Sequence, residues 1–120
     1  MLNQLIEKLI NDCDGAEAGF VMNFDGMPVE IQAREEDKTT RVAGMEFAFV
    51  MTQVRKAAAI LEVGALDEVI ICSDKYTFLL RVLDEAHFSG LVLGSAGNLG
   101  KGRFLMRMAA ADLAKAVGEQ

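Results

Sequence analysis

The chain has 120 residues, enough for one domain and too few for two of usual size, and it can bury roughly two thirds of its unfolded surface. Its formal net charge of −6 disfavours a nucleic acid or an anionic membrane as partner, because both need a positive protein surface. No stretch approaches about eighteen consecutive uncharged apolar residues, and the N-terminus lacks a basic flank, a long apolar run and a cleavage site, so a cytoplasmic protein is expected.

In chain order, Leu2, Leu5, Ile6, Leu9 and Ile10 fall at helical spacing and predict an amphipathic helix from Leu2 to about Asp12, ended by Asp14-Gly15. Cys13 follows it and, like Cys72, belongs to no C-x-x-C pair; both are expected to be reduced, buried thiols acting as small hydrophobes. From Ala18 to Ala33 the apolar period shortens to two. Asp25-Gly26 interrupts it as a turn pair that supplies positive φ, giving strands near residues 19–23 and 28–33. Pro28 lacks a backbone donor, which suits the start of an outermost strand. Residues 34–38 form a charge run expected to be solvated, and Thr39 or Thr40 can cap the helix that follows.

That helix, residues 42–61, has two apolar sides. Ala43, Phe47, Val50, Val54, Ala57, Ala58 and Leu61 make the pattern of a core-facing stripe. On the other side Val42, Met45, Phe49 and Ile60 stand among Glu46, Gln53 and Lys56, as in a protein–protein contact with apolar anchors and a polar surround. The competing reading is a helix buried wholly in its own domain, which three polar side chains on one side argue against. A charge placed at Phe49 should break such a contact and yield monomers.

The helix should stop near Gly64. Val69-Ile70-Ile71-Cys72 is a short run of strand type, followed by strands near 76–83 and 88–94 joined at Asp84-Glu85-Ala86. After Ser95-Ala96-Gly97 a last helix over 99–117 lines up Leu99, Met106, Ala110, Leu113 and Val117. With no repeat, linker or low-complexity tract, residues 1–120 read as a single domain. The order α-β-β-α-β-β-β-α predicts an α+β fold: a three-layer α/β/α sandwich around one five-stranded antiparallel sheet, terminal helices on one face and the central helix on the other. The strand holding Val69, Ile70 and Ile71 would then be a free edge, open to pairing with another chain.

Residues carrying chemistry are sparse. Gly94-Ser95-Ala96-Gly97-Asn98-Leu99-Gly100-Lys101-Gly102 lies between a strand and a helix, but its glycine spacing and the Gly102 in place of a hydroxyl fail the P-loop pattern. A tight strand-to-helix connection is the plainer reading. His87, the single histidine, is expected to be a solvated turn residue, and with two distant cysteines it does not make the closely spaced ligand set that zinc takes. Asp67-Glu68 and Asp84-Glu85 sit at strand ends, where loop solubility explains them, and adjacent strand residues point to opposite faces. Lys101, Arg103 and Arg107 read as a solvated helix face, and Met45 and Met51 as gap-fillers. No catalytic, metal or cofactor residue emerges.

The opening helix ending at Asp14-Gly15-Ala16, the hairpin from Gly19 to Gly26, the long central helix and the closing Asn98-Leu99-Gly100-Lys101-Gly102-Arg103 together resemble the roadblock/LC7 family over nearly the whole chain. The resemblance implies a dimer paired through the central helices and the third strand, with one sheet continuous across it. It also implies a partner: family members bind Ras-like small GTPases, in bacteria notably a polarity and gliding GTPase, and can stimulate its GTP hydrolysis without lending a catalytic residue. Other members are scaffold subunits or dynein light chains. The expectation is a non-enzymatic homodimeric regulator of a small GTPase, with a structural scaffold as the alternative. Glu46, Gln53 and Lys56 would then read the GTPase switch regions around apolar contacts.

Overall fold

The computed structural model describes the backbone of residues 1–35 and 38–119, and the side chains of 1–35 and 44–119. It contains α1 (Leu2–Asp12), β1 (Ala16–Asn23), β2 (Pro28–Ala33), α2 (Lys38–Leu61), β3 (Glu68–Cys72), β4 (Tyr76–Val82), β5 (His87–Gly94) and α3 (Leu99–Gly118). The order is the expected one. The largest shifts in bounds are β1, which begins at Ala16, and α2, which begins at Lys38 inside the charge run.

The strands form one antiparallel sheet in the order β2-β1-β5-β4-β3. Its edges are β2, which Pro28 opens, and β3, as the sequence implies. The β1–β2 turn is tied by Asn23, whose Oδ1 accepts from the N–H groups of Asp25 and Met27, each at 3.0 Å, while Gly26 takes φ +90°. At the far end of α2, Glu62 at φ 55° and Gly64 at φ 95° turn the chain away, and the Val63 N–H donates back to the Ala58 carbonyl at 3.3 Å.

Period-two alternation splits the core between the two faces. Ile6, Leu9 and Ile10 of α1 and Met106, Leu113 and Val117 of α3 pack on Val21, Leu79, Leu91 and Leu93. On the other face Phe47, Ala48 and Met51 of α2 pack on Phe20, Met22, Leu80 and Phe88. Phe20 is the centre of that second layer: it stacks on Phe47 at 5.5 Å between ring centres and meets Phe88 edge-on at 6.3 Å. Its ring lies directly over Gly90 of β5, where a Cβ would come no further than 2.5 Å from Cζ, Cε1 and Cε2.

Several expectations need correction. The buried stripe of α2 is Gly44, Phe47, Ala48, Met51 and Ala58; Val50 and Val54 are only half-buried, and Ala57 and Leu61 are exposed. The helix is rolled so that Met51 points at the sheet, and beyond it only Ala58 is buried. Ala43 lies outside the described side chains. On α3, Gly102 and Ala116 join the buried side, while Leu99, in the first turn, is exposed. Of the two free cysteines only Cys13 is buried; Cys72 ends the edge strand and is exposed. Arg34 is exposed, as expected, but it is also tied down: its Nη2 donates to the Ile10 carbonyl at 2.9 Å and its Nε to the Ala16 carbonyl, pinning the end of β2 to the α1–β1 corner. Glu36, Asp37 and the Thr39 and Thr40 side chains lie outside the described residues. Met1, Leu5, Asp112, Lys115, Ala116 and Glu119 line a shallow cleft between α1 and α3, so the two ends of the described chain lie side by side.

Candidate interaction surface on the central helix and the sheet edge

α2 is held to the sheet along one flank. Met45 and Ala48 lie against Gly26 in the β1–β2 turn, and the Arg55 guanidinium sits 3.8 Å from the centre of the Phe24 ring while donating to the Glu85 carbonyl at 2.9 Å. Both turns are therefore clamped to the same side of the helix. At 100° per residue the opposite flank carries Val50, Val54, Ala57 and Leu61. It faces away from those turns, on the sheet face where Val69, Ile71 and Phe78 are only partly buried and Tyr76 is exposed.

The outward side of α2 is a second apolar strip. Met45 is 69%, Phe49 62% and Ile60 81% exposed, with Glu46, Gln53 and Lys56 exposed among them. Val42 lies outside the described side chains. Met51, expected as a gap-filler with Met45, is fully buried, so the two methionines serve opposite sides. On β3 the register pairs Val69 with Leu80 and Ile71 with Phe78, placing both on the α2 face, whereas Ile70 pairs with Leu79 and faces α3.

Two of the carboxylates, Glu68 and Asp84, form links within the fold. Glu68 is not a loop carboxylate: it receives Arg81 Nη1 at 3.2 Å and Arg103 Nε at 2.6 Å, joining β3, β4 and α3. Arg103 is accordingly tied down. Asp84 accepts from the backbone N–H groups of Ala86 and His87, both at 2.8 Å, and lies 3.0 Å from His87 Nδ1. Partial burial pushes its carboxyl up, but these hydrogen bonds and the imidazole outweigh that and hold it below the usual carboxylate range. His87 is thus half-buried, opens β5 and has an acidic neighbour, unlike the solvated turn residue expected.

The glycine-rich segment before α3 uses its amides internally. Asn98 Oδ1 caps the helix by accepting from the Lys101 N–H at 3.0 Å, while the N–H groups of Gly97, Asn98 and Gly102 go to Gly94, Asp14 and Asn98 carbonyls. The segment is a tight connection. Among the described residues no three His, Cys, Asp or Glu side chains converge as metal ligands, and no helix is long and apolar enough to cross a membrane.

Element order, sheet order and the placement of one long helix across a sheet with an uncovered edge define the class: a three-layer α+β sandwich of the roadblock type. The chain is 33% identical to MglC from Myxococcus xanthus, covering 97% of this chain and 99% of that one with a TM-score of 0.70. MglB, a gliding protein of Thermus thermophilus, superposes with a TM-score of 0.89 at 15% identity over 99% of this chain and 90% of its own. A roadblock/LC7 domain from Streptomyces avermitilis gives 0.85 at 11% identity over 96% of each chain. No family model and no curated protein sequence matches the chain. The chain belongs to the roadblock/LC7 family.

Proposed function

We propose that the chain is a homodimeric, non-enzymatic regulator of a Ras-like small GTPase. One observation carries the reading: α2 has two uncovered apolar sides, the flank of Val50, Val54, Ala57 and Leu61 and the outward strip of Met45, Phe49 and Ile60. A second copy covers the flank. Its α2 runs against Val50–Leu61 while the edges carrying Val69, Ile70 and Ile71 pair, closing both the apolar surface and the open backbone groups of β3. The two outward strips, with Glu46, Gln53 and Lys56 around the apolar anchors, then form one platform for the GTPase. Tighter contact with the GTP-bound state would shift the partner's population toward it and towards an arrangement competent for hydrolysis, with no catalytic group supplied by this chain.

The scaffold reading is favoured by a different observation, the exposed Phe104 and Met108 on α3, since a subunit of a larger assembly uses more than one face. A pull-down from native lysate, split between GDP and a non-hydrolysable GTP analogue and read by mass spectrometry, separates the two. A small GTPase enriched only with the analogue supports the regulator; the same partners in both conditions support the scaffold.

A further inference from the structure

We propose that the outward side of α3 is a docking face for an acidic amphipathic segment of a partner protein, separate from the α2 surface. Phe104 is 50% and Met108 64% exposed, one helical turn apart on the side opposite the buried Met106 and Leu113. Lys101, Arg107 and Lys115 are exposed beside it and make no ion pair among the described residues. The Arg107 guanidinium stands 5.8 Å from the centre of the Phe104 ring, so cation and aromatic face are presented together.

Charge decides the occupant. Of the four basic side chains in the span of α3, Arg103 is taken by Glu68, which leaves Lys101, Arg107 and Lys115 against the single acid Asp112, in a chain of net charge −6. A duplex or a membrane surface extends well beyond this helix and would meet the acidic remainder, which screening over a Debye length of about 8 Å does not hide. A short acidic segment lying along about 24 Å of helix meets Lys101, Arg107 and Lys115, with Asp112 the one acid beside them. Its own apolar side chains are required, because a purely polar acid would leave Phe104 and Met108 uncovered. Since α3 and α2 lie on opposite faces of the sheet, both can be engaged at once.

The test titrates a fluorescein-labelled helical peptide of about 16 residues, glutamates with leucine at every third or fourth position, into the full chain. The anisotropy should saturate, weaken as salt rises from about 0.1 to about 0.5 M, and shift amide resonances confined to α3. The double variant Phe104→Ser, Arg107→Glu should bind about tenfold more weakly with an unchanged melting curve, since both side chains are exposed. Phe49→Asp should bind the peptide as the parent does, so failure of the α2 reading and failure of this one are distinguishable. No binding, equal binding of the lysine version of the peptide, shifts on α2, or α3-dependent binding of phosphatidylserine vesicles would each overturn the proposal.

Discussion

Gly90→Ala is a single-methyl test of the layer that seats α2. The added Cβ would fall within 2.5 Å of three ring atoms of Phe20, and β5 is the central strand, so the ring must leave. Overpacking of this kind costs about 1–3 kcal/mol. Displacing Phe20 also weakens its pairs with Phe47 and Phe88, each worth about 0.5–1.5 kcal/mol, so the total should be about 3 kcal/mol. For a domain of this size that corresponds to a fall in Tm of about 12 °C. Urea denaturation followed by circular dichroism, at one protein concentration so that association does not confound the comparison, should show a lower midpoint with an unchanged slope. The conflict is with one ring, so Gly90→Ala combined with Phe20→Leu should lie within about 1 kcal/mol of Phe20→Leu alone. A Gly90→Ala variant within about 0.5 kcal/mol of the parent, or strict additivity in the double variant, refutes the packing argument.

Two aspartates divide the sides of α2: Val54→Asp should give monomers by light scattering, while Phe49→Asp should keep the dimer mass and lose the GTPase. Monomers from Phe49→Asp would instead put the seam on the outward side, where the sequence pattern alone places it. With an aromatic disulfide reagent, Cys72 should react at once and Cys13 only on unfolding, because burial removes access and pushes its thiol up. Asp84 is held below its ordinary pKa, so its stabilising effect is complete above the ordinary carboxylate value and disappears as pH falls through the lowered one. The difference in Tm between parent and Asp84→Asn should therefore be largest near neutrality and shrink in acid; a constant difference would show that charge plays no part.

Elements with clear periodicity were legible from sequence: α1 in full, the hairpin around Asp25-Gly26, the meander after α2 and both free edges. So was the exposure of Met45, Phe49 and Ile60, because a polar surround distinguishes them within a helix. The roll of α2 was not. Val50, Val54 and Leu61 form as good a stripe on the helical wheel as Phe47, Ala48 and Met51, and the choice is made by the aromatic rings of β1 and β4 waiting beneath. Nor do residue types reveal that Glu68 will find Arg81 and Arg103, or Arg34 the carbonyls of Ile10 and Ala16, since each partner arrives from a distant element.

The shallow cleft shared by Met1 and Glu119 bears on how the chain can be re-cut. A short flexible linker would join residue 119 to residue 1 on the face away from α2, allowing new ends to be opened elsewhere. Gly64 suits this purpose: it lies in the exposed connection between α2 and β3, where an added Cβ would meet nothing within 4 Å. Such a permutant would separate the helix from the edge strand in covalent order while keeping them neighbours in space. It would show whether their joint use depends on chain continuity or only on the shape of the folded surface.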